Sequence, residues 1–326
     1  MPRLSVAVER FPIAGHFTIS RGSRTEAVVV TAAIAEGGIE GRGECVPYAR
    51  YGETAEGVRD LISAQADAIA RGATREDLAK LLPAGAARNA LDCALWDLAA
   101  KRAGKRAWEI AGVPQPAPVT TAYTLSLGTP DEMEKAARLA SARPLLKVKL
   151  GGEGDADRIA AVRRGAPSAA LIVDANEAWS EATVQRNIEA CERADVKLIE
   201  QPFPAGRDSL LSGIRCTIPI CADESVHDAA SLDRIAGRYQ MINIKLDKAG
   251  GLTEALALAG AARANGLKIM VGCMLATSLA MAPAMLVAQY ADYVDLDGPL
   301  LLARDRHPGI AYDGSLMAPP PPALWG

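Results

Sequence analysis

The chain has 326 residues, of which 49% are hydrophobic, and its formal net charge is −3. This length predicts one or two domains with a large buried core. The mild acidity and the aromatic content of only 4% argue against nucleic acid as a partner, since they indicate neither a basic surface nor a base-stacking platform.

The six cysteines are scattered and show no CxxC or zinc-like spacing, which is typical of reduced thiols in a cytoplasmic protein. The first residues contain no long apolar run, so we expect no signal peptide. The most apolar long segment, residues 274–291, is interrupted by polar residues and by Pro283. We predict that it forms a buried helix and that the protein has no membrane partner.

Residues 1–116 are predicted to form an α+β domain. Three strand-like stretches fill residues 1–46, with Gly37-Gly38 as a hairpin turn. Residues 54–103 have helical patterns, which are clearest over 86–102 and end before Gly104. Alternate prolines in 112–119 indicate a stiff connector and a domain boundary.

From residue 117 to 310, apolar runs of strand length alternate with alanine-rich helical segments. The runs lie at 119–125, 145–150, 171–176, 197–202, 218–223, 241–246, 268–273 and 293–297. This alternation predicts an α/β fold, a (β/α)7-8 TIM-like barrel that follows the N-terminal α+β domain. The proline-rich tail, within residues 311–326, is expected to run back over the first domain.

Three of the predicted strands reach an acidic residue near their carboxyl ends: Asp174, Glu200 and Asp223. They are separated by about one strand–helix repeat each, so they fall on consecutive strands and converge at one mouth of the barrel. A divalent cation would relieve their repulsion, and hard oxygen ligands favour Mg²⁺ or Mn²⁺ over zinc. A structural ion pair is the alternative for any one of these acids, but three in register argue against coincidence.

Lysines flank these acids in sequence. In LLKVKL (145–150), Lys147 and Lys149 alternate with apolar residues and are expected to face the barrel interior. In MINIKLDK (241–248), Lys245 faces inward on the sixth strand, opposite the second. An interior lysine is costly unless it is paired or used. Clustered cations lower one another's pKa, which suits lysines that act as bases on opposite faces of a carbon. The alternative for these lysines is a structural ion pair.

The last predicted strand ends in another acidic pair, Asp295 and Asp297, on one face. These residues come too late in the barrel to join the metal candidates. As two exposed carboxylates without a metal, they suit an ammonium group. The alternative is a solvated acidic turn before Gly298-Pro299.

Together these residues resemble the enolase superfamily and its muconate-lactonizing-enzyme subgroup. The resemblance rests on KVK (147–149), DAN (174–176), EQP (200–202), ADES (222–225) and NIKLDK (243–248). Within the subgroup the chain is most similar to the dipeptide epimerases, which interconvert L-Ala-L-Glu and L-Ala-D-Glu. That similarity lies in ISRGSRTEA (19–27), GECVPYARYGE (43–53), GAARNALDCALWDLAA (85–100), GGLTEALALA (250–259) and DLDGP (295–299).

The resemblance implies a role for each candidate residue. Lys149 and Lys245 would be the acid/base catalysts, Lys147 would assist at the substrate carboxylate, and Asp174, Glu200 and Asp223 would hold one Mg²⁺, with Mn²⁺ as a substitute. Asp295 and Asp297 would bind the ammonium group of the dipeptide. Arg24, on a loop of the N-terminal capping domain, would bind the glutamate side chain; without the resemblance it would be an ordinary exposed arginine.

The implied reaction is a 1,1-proton transfer through an enediolate that the metal and Lys147 stabilise. The resemblance also implies capping loops near 15–26 and 47–54, a role in recycling murein peptides, and allows a homo-oligomer. The small-molecule dipeptide is the expected partner.

Other functions are less well supported by the sequence. An o-succinylbenzoate synthase or a muconate cycloisomerase would use the same lysines and metal, but neither substrate carries an ammonium group for Asp295 and Asp297. A non-catalytic barrel would be expected to lack a lysine or a carboxylate. The three histidines lie in no triad motif, and no phosphate-binding glycine motif indicates a nucleotide cofactor.

Overall fold

The N-terminal region is an antiparallel sheet covered by helices. The computed structural model describes all residues from 1 to 326. The sheet has the order β1-β2-β3, with β1 (Arg3–Ile19), β2 (Gly22–Glu36) and β3 (Ile39–Cys45). Gly37 and Gly38 have φ values of 61° and 81°, which confirms the predicted hairpin turn between β2 and β3.

The hairpin of β1 and β2 extends further than the sequence pattern indicates. Arg24 pairs with Phe17 inside the ladder, so the prediction that Arg24 lies on a loop is wrong. The ladder has a register shift between Pro12 and Phe17, which interrupts the regular alternation of residues. This irregularity is the reason that the polar end of the hairpin is not recognisable as strand from its sequence.

Five helices follow the sheet. They are α1 (Ala55–Ser63), α2 (Ala66–Ala70), α3 (Arg75–Leu81), α4 (Ala86–Ala103) and α5 (Ala107–Ala111). Helix α4 ends at Gly104, whose φ of 62° gives the left-handed C-cap expected there. It packs so closely on β3 that a Cβ atom at Gly43 would lie only 2.1 Å from the Ala90 carbonyl oxygen.

A parallel eight-stranded barrel forms the larger part of the chain, as predicted. Its strands are β5 (Tyr123–Leu125), β6 (Leu145–Lys149), β7 (Ala170–Asp174), β8 (Val196–Glu200), β9 (Ile220–Ala222), β10 (Met241–Ile244), β11 (Lys268–Gly272) and β12 (Tyr293–Asp295), hydrogen-bonded in chain order. A parallel bridge between Thr121 and Val294 joins the first and last strands and closes the barrel. The short strand β4 (Val119–Thr120) precedes the first barrel strand in the chain.

Helices surround the barrel. They are α6 (Pro130–Leu139), α7 (Asp155–Gly165), α8 (Val184–Arg193), α9 (Leu232–Ile235), α10 (Leu246–Ala249), α11 (Leu252–Ala264), α12 (Ser278–Ala288) and α13 (Gly298–Leu301). The connection between β8 and β9 contains only a short 3₁₀ helix, Asp208–Gly213. All residues of α12 but one are buried, which confirms the buried helix predicted within 274–291, and no helix of the protein combines the length and apolarity that crossing a bilayer requires.

The barrel interior has an apolar layer below a polar one. The apolar layer contains Leu145, Ile172, Leu198, Cys221, Met241 and Met270. Side chains two residues apart on a strand point to the same side, so the next inward positions form the layer at the carboxyl ends of the strands. These positions are Lys147, Asp174, Glu200, Asp223, Asn243 and Gly272. The fold therefore gathers the candidate charged residues above a packed floor.

The C-terminal tail contacts the N-terminal region. Strand β14 (Leu316–Met317) pairs with β4 on one side and with β13 (Tyr312–Asp313) on the other. Beyond them, the Trp325 indole donates a hydrogen bond of 3.1 Å to the Cys93 carbonyl, and the Gly326 amide donates to Asp97 on α4. Helix α4 thus contacts both the tail and β3, and Asp97 accepts hydrogen bonds from both.

Candidate active site

Two lysines enter the barrel mouth from opposite sides. Lys149 ends β6, the second barrel strand, and its Nζ lies 2.6 Å from Asp174 Oδ2. Lys245 directly follows β10, the sixth strand, and its Nζ lies 2.6 Å from Asp223 Oδ2. Each lysine is buried and held by a different carboxylate, so both ammonium groups have fixed positions.

A third lysine, Lys147, lies deeper among the carboxylates. Its Nζ is 2.7 Å from Asp295 Oδ2, 2.8 Å from Glu200 Oε2 and 3.3 Å from Asp174 Oδ2. The side chain is fully buried, and three anionic partners compensate its desolvation. Lys147 therefore connects the metal candidates to the acidic end of the last strand.

The three predicted metal ligands form one cluster. Ligand oxygens of Asp174, Glu200 and Asp223 all lie within 4.8 Å of one another, and all three residues are buried. Asn243 donates a hydrogen bond of 2.7 Å to Glu200 Oε1, which orients that carboxylate, while Glu200 Oε2 lies 2.8 Å from Lys147 Nζ. Three buried carboxylates whose oxygens converge in this way fit a divalent cation such as Mg²⁺.

The pKa values of the three acids shift in different directions. Burial, reinforced by the Asp174 charge, raises the pKa of Glu200 to about 7. Burial also opposes ionisation of Asp223 and Asp174, but the neighbouring lysines outweigh it and hold both pKa values below their usual range. Glu200, whose pKa stays high, is thus the carboxylate that gains most from a further cation.

The lysine pKa values differ from the sequence-based expectation. Burial alone would lower the pKa of Lys245, but Asp223, Glu200 and Asp174 together outweigh it, and the pKa lies well above its usual value. Lys147 acts on Lys245 in the predicted, lowering direction, yet it is outweighed by these carboxylates. The lowering expected from clustered cations is therefore not found for Lys245, whose Nζ lies 2.6 Å from Asp223 Oδ2.

The acidic pair on the last strand is not exposed, contrary to the prediction. Asp295 and Asp297 are only 4% and 3% accessible. Asp295 is paired with Lys147 through Oδ2, while its Oδ1 accepts no hydrogen bond. Asp297 accepts a hydrogen bond from the Thr124 amide, and burial, with the Asp295 charge, raises its pKa to about 7. The residues that contact this pair, Thr124 on β5 and Lys147 on β6, lie on other strands, and alternation within one strand cannot reveal them.

A cavity lies between the barrel mouth and the N-terminal hairpin. From the barrel it is lined by Lys149, Asn176, Asp223, Glu224 and Lys245, and from the N-terminal region by Ile19, Arg21, Arg24, Tyr48 and Tyr51. A concave site with charged groups from both regions suits a small polar ligand. Arg24 therefore faces the same space as Lys149 and Lys245, whereas Lys147, Asp174, Glu200, Asp295 and Asp297 lie outside the lining.

Three further charged residues lie near this cavity: Glu224, which the sequence suggested as a partner of the metal ligands, and Lys248 and Arg21, which the sequence reasoning missed. Lys248 is buried and donates a hydrogen bond of 2.6 Å to Asp223 Oδ1. Its spacing from Lys245 is one helical turn, which is a signal that could have identified it. Glu224 lies against the cavity, and its burial and the Asp223 charge raise its pKa to about 7. Arg21, which pairs with Glu224 at 2.8 Å, carries no sequence signal of its own.

The chain matches two family models that together span most of its length. Residues 3–112 match the N-terminal domain of mandelate racemase / muconate lactonizing enzyme, and residues 131–322 match the enolase C-terminal domain-like family.

Two curated relatives align over almost the whole chain. The L-Ala-D/L-Glu epimerase of Escherichia coli (strain K12) is 46% identical, and the alignment covers 96% of this chain and 98% of that protein. The N-acetyl-D-glutamate racemase of a Pseudoalteromonas species is 44% identical over 91% of this chain and 95% of its own length.

Solved structures agree in fold. A crystal structure of an enolase family member from Agrobacterium tumefaciens with homology to dipeptide epimerases, with bound sodium and L-Ala-L-Glu, superimposes with a TM-score of 0.98 at 53% identity and covers 100% of both chains. A dipeptide epimerase from Cytophaga hutchinsonii, complexed with Mg and D-Ala-L-Val, has a TM-score of 0.90 at 28% identity and covers 97% of this chain and 92% of its own.

Proposed function

The chain belongs to the mandelate racemase / muconate lactonizing enzyme family of the enolase superfamily, and we propose that it is a dipeptide epimerase that interconverts L-Ala-L-Glu and L-Ala-D-Glu. The observation that carries this proposal is the placement of Lys149 and Lys245 on opposite strands of the barrel, facing one cavity. A carbon held between two such groups can lose a proton from one face and gain one on the other.

The two lysines exchange roles between the two directions of the reaction. In one direction Lys149 takes the α-proton of the glutamate residue and Lys245 returns a proton to the other face, and in the reverse direction they act the other way round. The α-proton is weakly acidic, so the enediolate left by its removal requires electrostatic stabilisation. Lys147, buried beside the carboxylate cluster, is suited to contribute an ammonium group at the substrate carboxylate.

Asp174, Glu200 and Asp223 would hold Mg²⁺, with Mn²⁺ as a substitute. A cation bound there would supply positive charge beside the substrate carboxylate. It would also offset the negative charge of the ligand carboxylates, which keeps the pKa of Lys245 high. The magnesium complex of the Cytophaga hutchinsonii dipeptide epimerase supports this assignment.

Asp295 and Asp297 are proposed to receive the ammonium group of the dipeptide. The supporting observation is the buried Asp295 Oδ1, which has no hydrogen-bond partner and is therefore open to an N–H donor. Arg24 is proposed to bind the side-chain carboxylate of the glutamate residue, because it lines the cavity and its guanidinium makes no hydrogen bond within the protein.

A second candidate substrate is an N-acylated glutamate, which undergoes the same proton transfer but lacks the ammonium group. The 44% identical N-acetyl-D-glutamate racemase favours this alternative, as does the existing pairing of Asp295 with Lys147, which already neutralises one of the two carboxylates.

The comparison of these two substrates tests the proposal. With Mg²⁺ present, we expect kcat/KM for L-Ala-L-Glu to exceed that for N-acetyl-L-glutamate by about 10-fold or more, since one charged hydrogen bond contributes ~1.5–3 kcal/mol. Conversion can be followed by chiral chromatography of the hydrolysed product. A preference for N-acetyl-L-glutamate would replace the dipeptide assignment with the racemase one and leave the proton-transfer chemistry intact.

The same proposal places the enzyme in the cytoplasm, in the recycling of murein peptides. The proposed substrate, a dipeptide that contains D- or L-glutamate, is the chemical link between the enzyme and this recycling. The support for this role is the similarity to the Escherichia coli epimerase.

A further inference from the structure

Arg21 connects the N-terminal hairpin to the barrel mouth through four acceptors. It lies in the turn between β1 and β2. Its Nη1 donates to the Asn176 carbonyl at 3.0 Å and to Glu177 Oε2 at 3.2 Å. Its Nη2 donates to the Tyr48 hydroxyl at 2.9 Å and to Glu224 Oε1 at 2.8 Å. The planar fork of one guanidinium thus fixes the turn against two barrel loops and Tyr48.

The acceptors of Arg21 are themselves held in place. Glu177 also accepts hydrogen bonds of 2.7 and 2.8 Å from Arg50 and one of 2.7 Å from the Ala205 amide. Glu224 is buried, with its carboxylate only 1% accessible. Arg21 therefore pairs with rigid partners, in contrast to a surface ion pair whose two side chains are both mobile.

Tyr48 links Arg21 to Arg24. The guanidinium carbon of Arg21 lies 5.8 Å from the centre of the Tyr48 ring, and that of Arg24 lies 5.9 Å from it. Both arginines are on the same hairpin and line the same cavity. The backbone of Arg24 belongs to the hairpin ladder and its guanidinium lies near this ring, so its position depends on both.

We propose that Arg21 is a positioning residue for substrate selection: by fixing the hairpin turn and Tyr48 to Asn176, Glu177 and Glu224, it places Arg24 where it binds a ligand carboxylate. This inference rests on the proposed function, in which Arg24 receives the acidic side chain. Both terminal nitrogens of Arg21 already donate to protein acceptors, so in this role it acts through Arg24.

A double-mutant cycle tests this coupling. The variants are Arg21→Gln, Arg24→Gln and the combination of both, assayed with L-Ala-L-Glu and with L-Ala-L-Gln, which lacks the acidic side chain. We expect each single variant to lower kcat/KM for L-Ala-L-Glu by about 10- to 100-fold, mainly through KM, as the loss of a charged hydrogen bond would. The double variant is expected to be only ~2-fold worse than Arg24→Gln, because Arg21 has no route to the substrate once Arg24 is gone. For L-Ala-L-Gln, Arg21→Gln should change kcat/KM by less than about 3-fold.

Two further variants separate positioning from stability. Arg21→Lys keeps the positive charge but not the planar guanidinium that reaches several acceptors. We therefore expect it to recover only part of the preference for L-Ala-L-Glu over L-Ala-L-Gln that Arg21→Gln loses. Arg102→Gln, which removes an exposed arginine that pairs with Glu36 in the same domain, should leave KM unchanged. If Arg21→Gln does not fold, Arg21→Lys replaces it in the cycle.

The outcomes distinguish this inference from the proposed function. Losses that multiply in the double variant, or an equal loss for both dipeptides, would overturn the role of Arg21 while wild-type activity on L-Ala-L-Glu stands. A wild-type protein that converts neither dipeptide would overturn the proposed function and, with it, the premise of this inference.

Discussion

Replacement of either Lys149 or Lys245 by alanine is expected to abolish epimerisation of L-Ala-L-Glu. General acid–base catalysis contributes about 10²- to 10⁴-fold to a rate, and each lysine is the only such group on its side of the proposed proton transfer. The two variants should therefore fall by at least about 100-fold in kcat, with smaller changes in KM. The measurement is the initial rate of L-Ala-D-Glu formation at saturating substrate.

The two lysine variants are also expected to differ from each other in stereochemistry. With one lysine gone, the other can still remove and return a proton on its own face of the carbon. Each variant should then exchange the α-proton of only one of the two dipeptide epimers with solvent. Lys197→Ala, which removes a lysine that is 43% accessible and pairs with Asp195, is the matched control and should keep full activity. Near-normal epimerisation by Lys149→Ala or Lys245→Ala would contradict the two-base mechanism.

Removal of divalent cations is expected to inactivate the enzyme, and addition of Mg²⁺ to restore it. The buried cluster of Asp174, Glu200 and Asp223 supplies the three oxygen ligands. Mg²⁺ should also stabilise the fold, by about 2.7 kcal/mol when its concentration is 100 times Kd, because it binds the folded state alone. This stabilisation is measured as a rise in Tm of the chelator-treated protein, without any substrate.

A variant of the cluster provides the comparison for the metal experiment. Glu200→Gln removes the charge of one ligand and should lose both the activity and the Mg²⁺-dependent rise in Tm. Glu192→Gln, on the outer helix α8, should retain both. Full activity after exhaustive chelation, or an equal rise in Tm for Glu200→Gln, would show that this cluster is not the metal site.

Period-two alternation predicted the placement of the inward-facing side chains. Residues two apart on a strand share a side, so Lys147 and Lys149 had to face the same way. The parallel barrel then required Asp174, Glu200 and Asp223 to meet at the carboxyl ends of the strands. This reasoning uses local geometry and one topological rule, and for that reason it could be done without coordinates.

The environment of those side chains could not be predicted in the same way. Asp295 was expected to be exposed, but it is buried against Lys147, which is 148 residues away in sequence. Alternation gives the face on which a residue lies and says nothing about which distant residue covers it. The pKa of Lys245 differed from expectation for the same reason, since its nearest charge is the Asp223 carboxylate at 2.6 Å.

The N-terminal hairpin was the least predictable part of the site. Its outer end is polar and has a register shift, so no strand period is visible there. Arg21 and Arg24 look alike in the sequence, and only their contacts separate them. The Arg21 side chain is fixed by four hydrogen-bond acceptors, whereas the Arg24 side chain faces the cavity without a hydrogen-bond acceptor.

Proton transfer between two faces of one carbon is tested most directly with the wild-type protein in D₂O. L-Ala-L-Glu is incubated with enzyme and Mg²⁺, and the glutamate α-proton is followed by NMR. We expect this signal to disappear as L-Ala-D-Glu forms with deuterium at the α-carbon. Persistence of the α-proton with no L-Ala-D-Glu formed would contradict it.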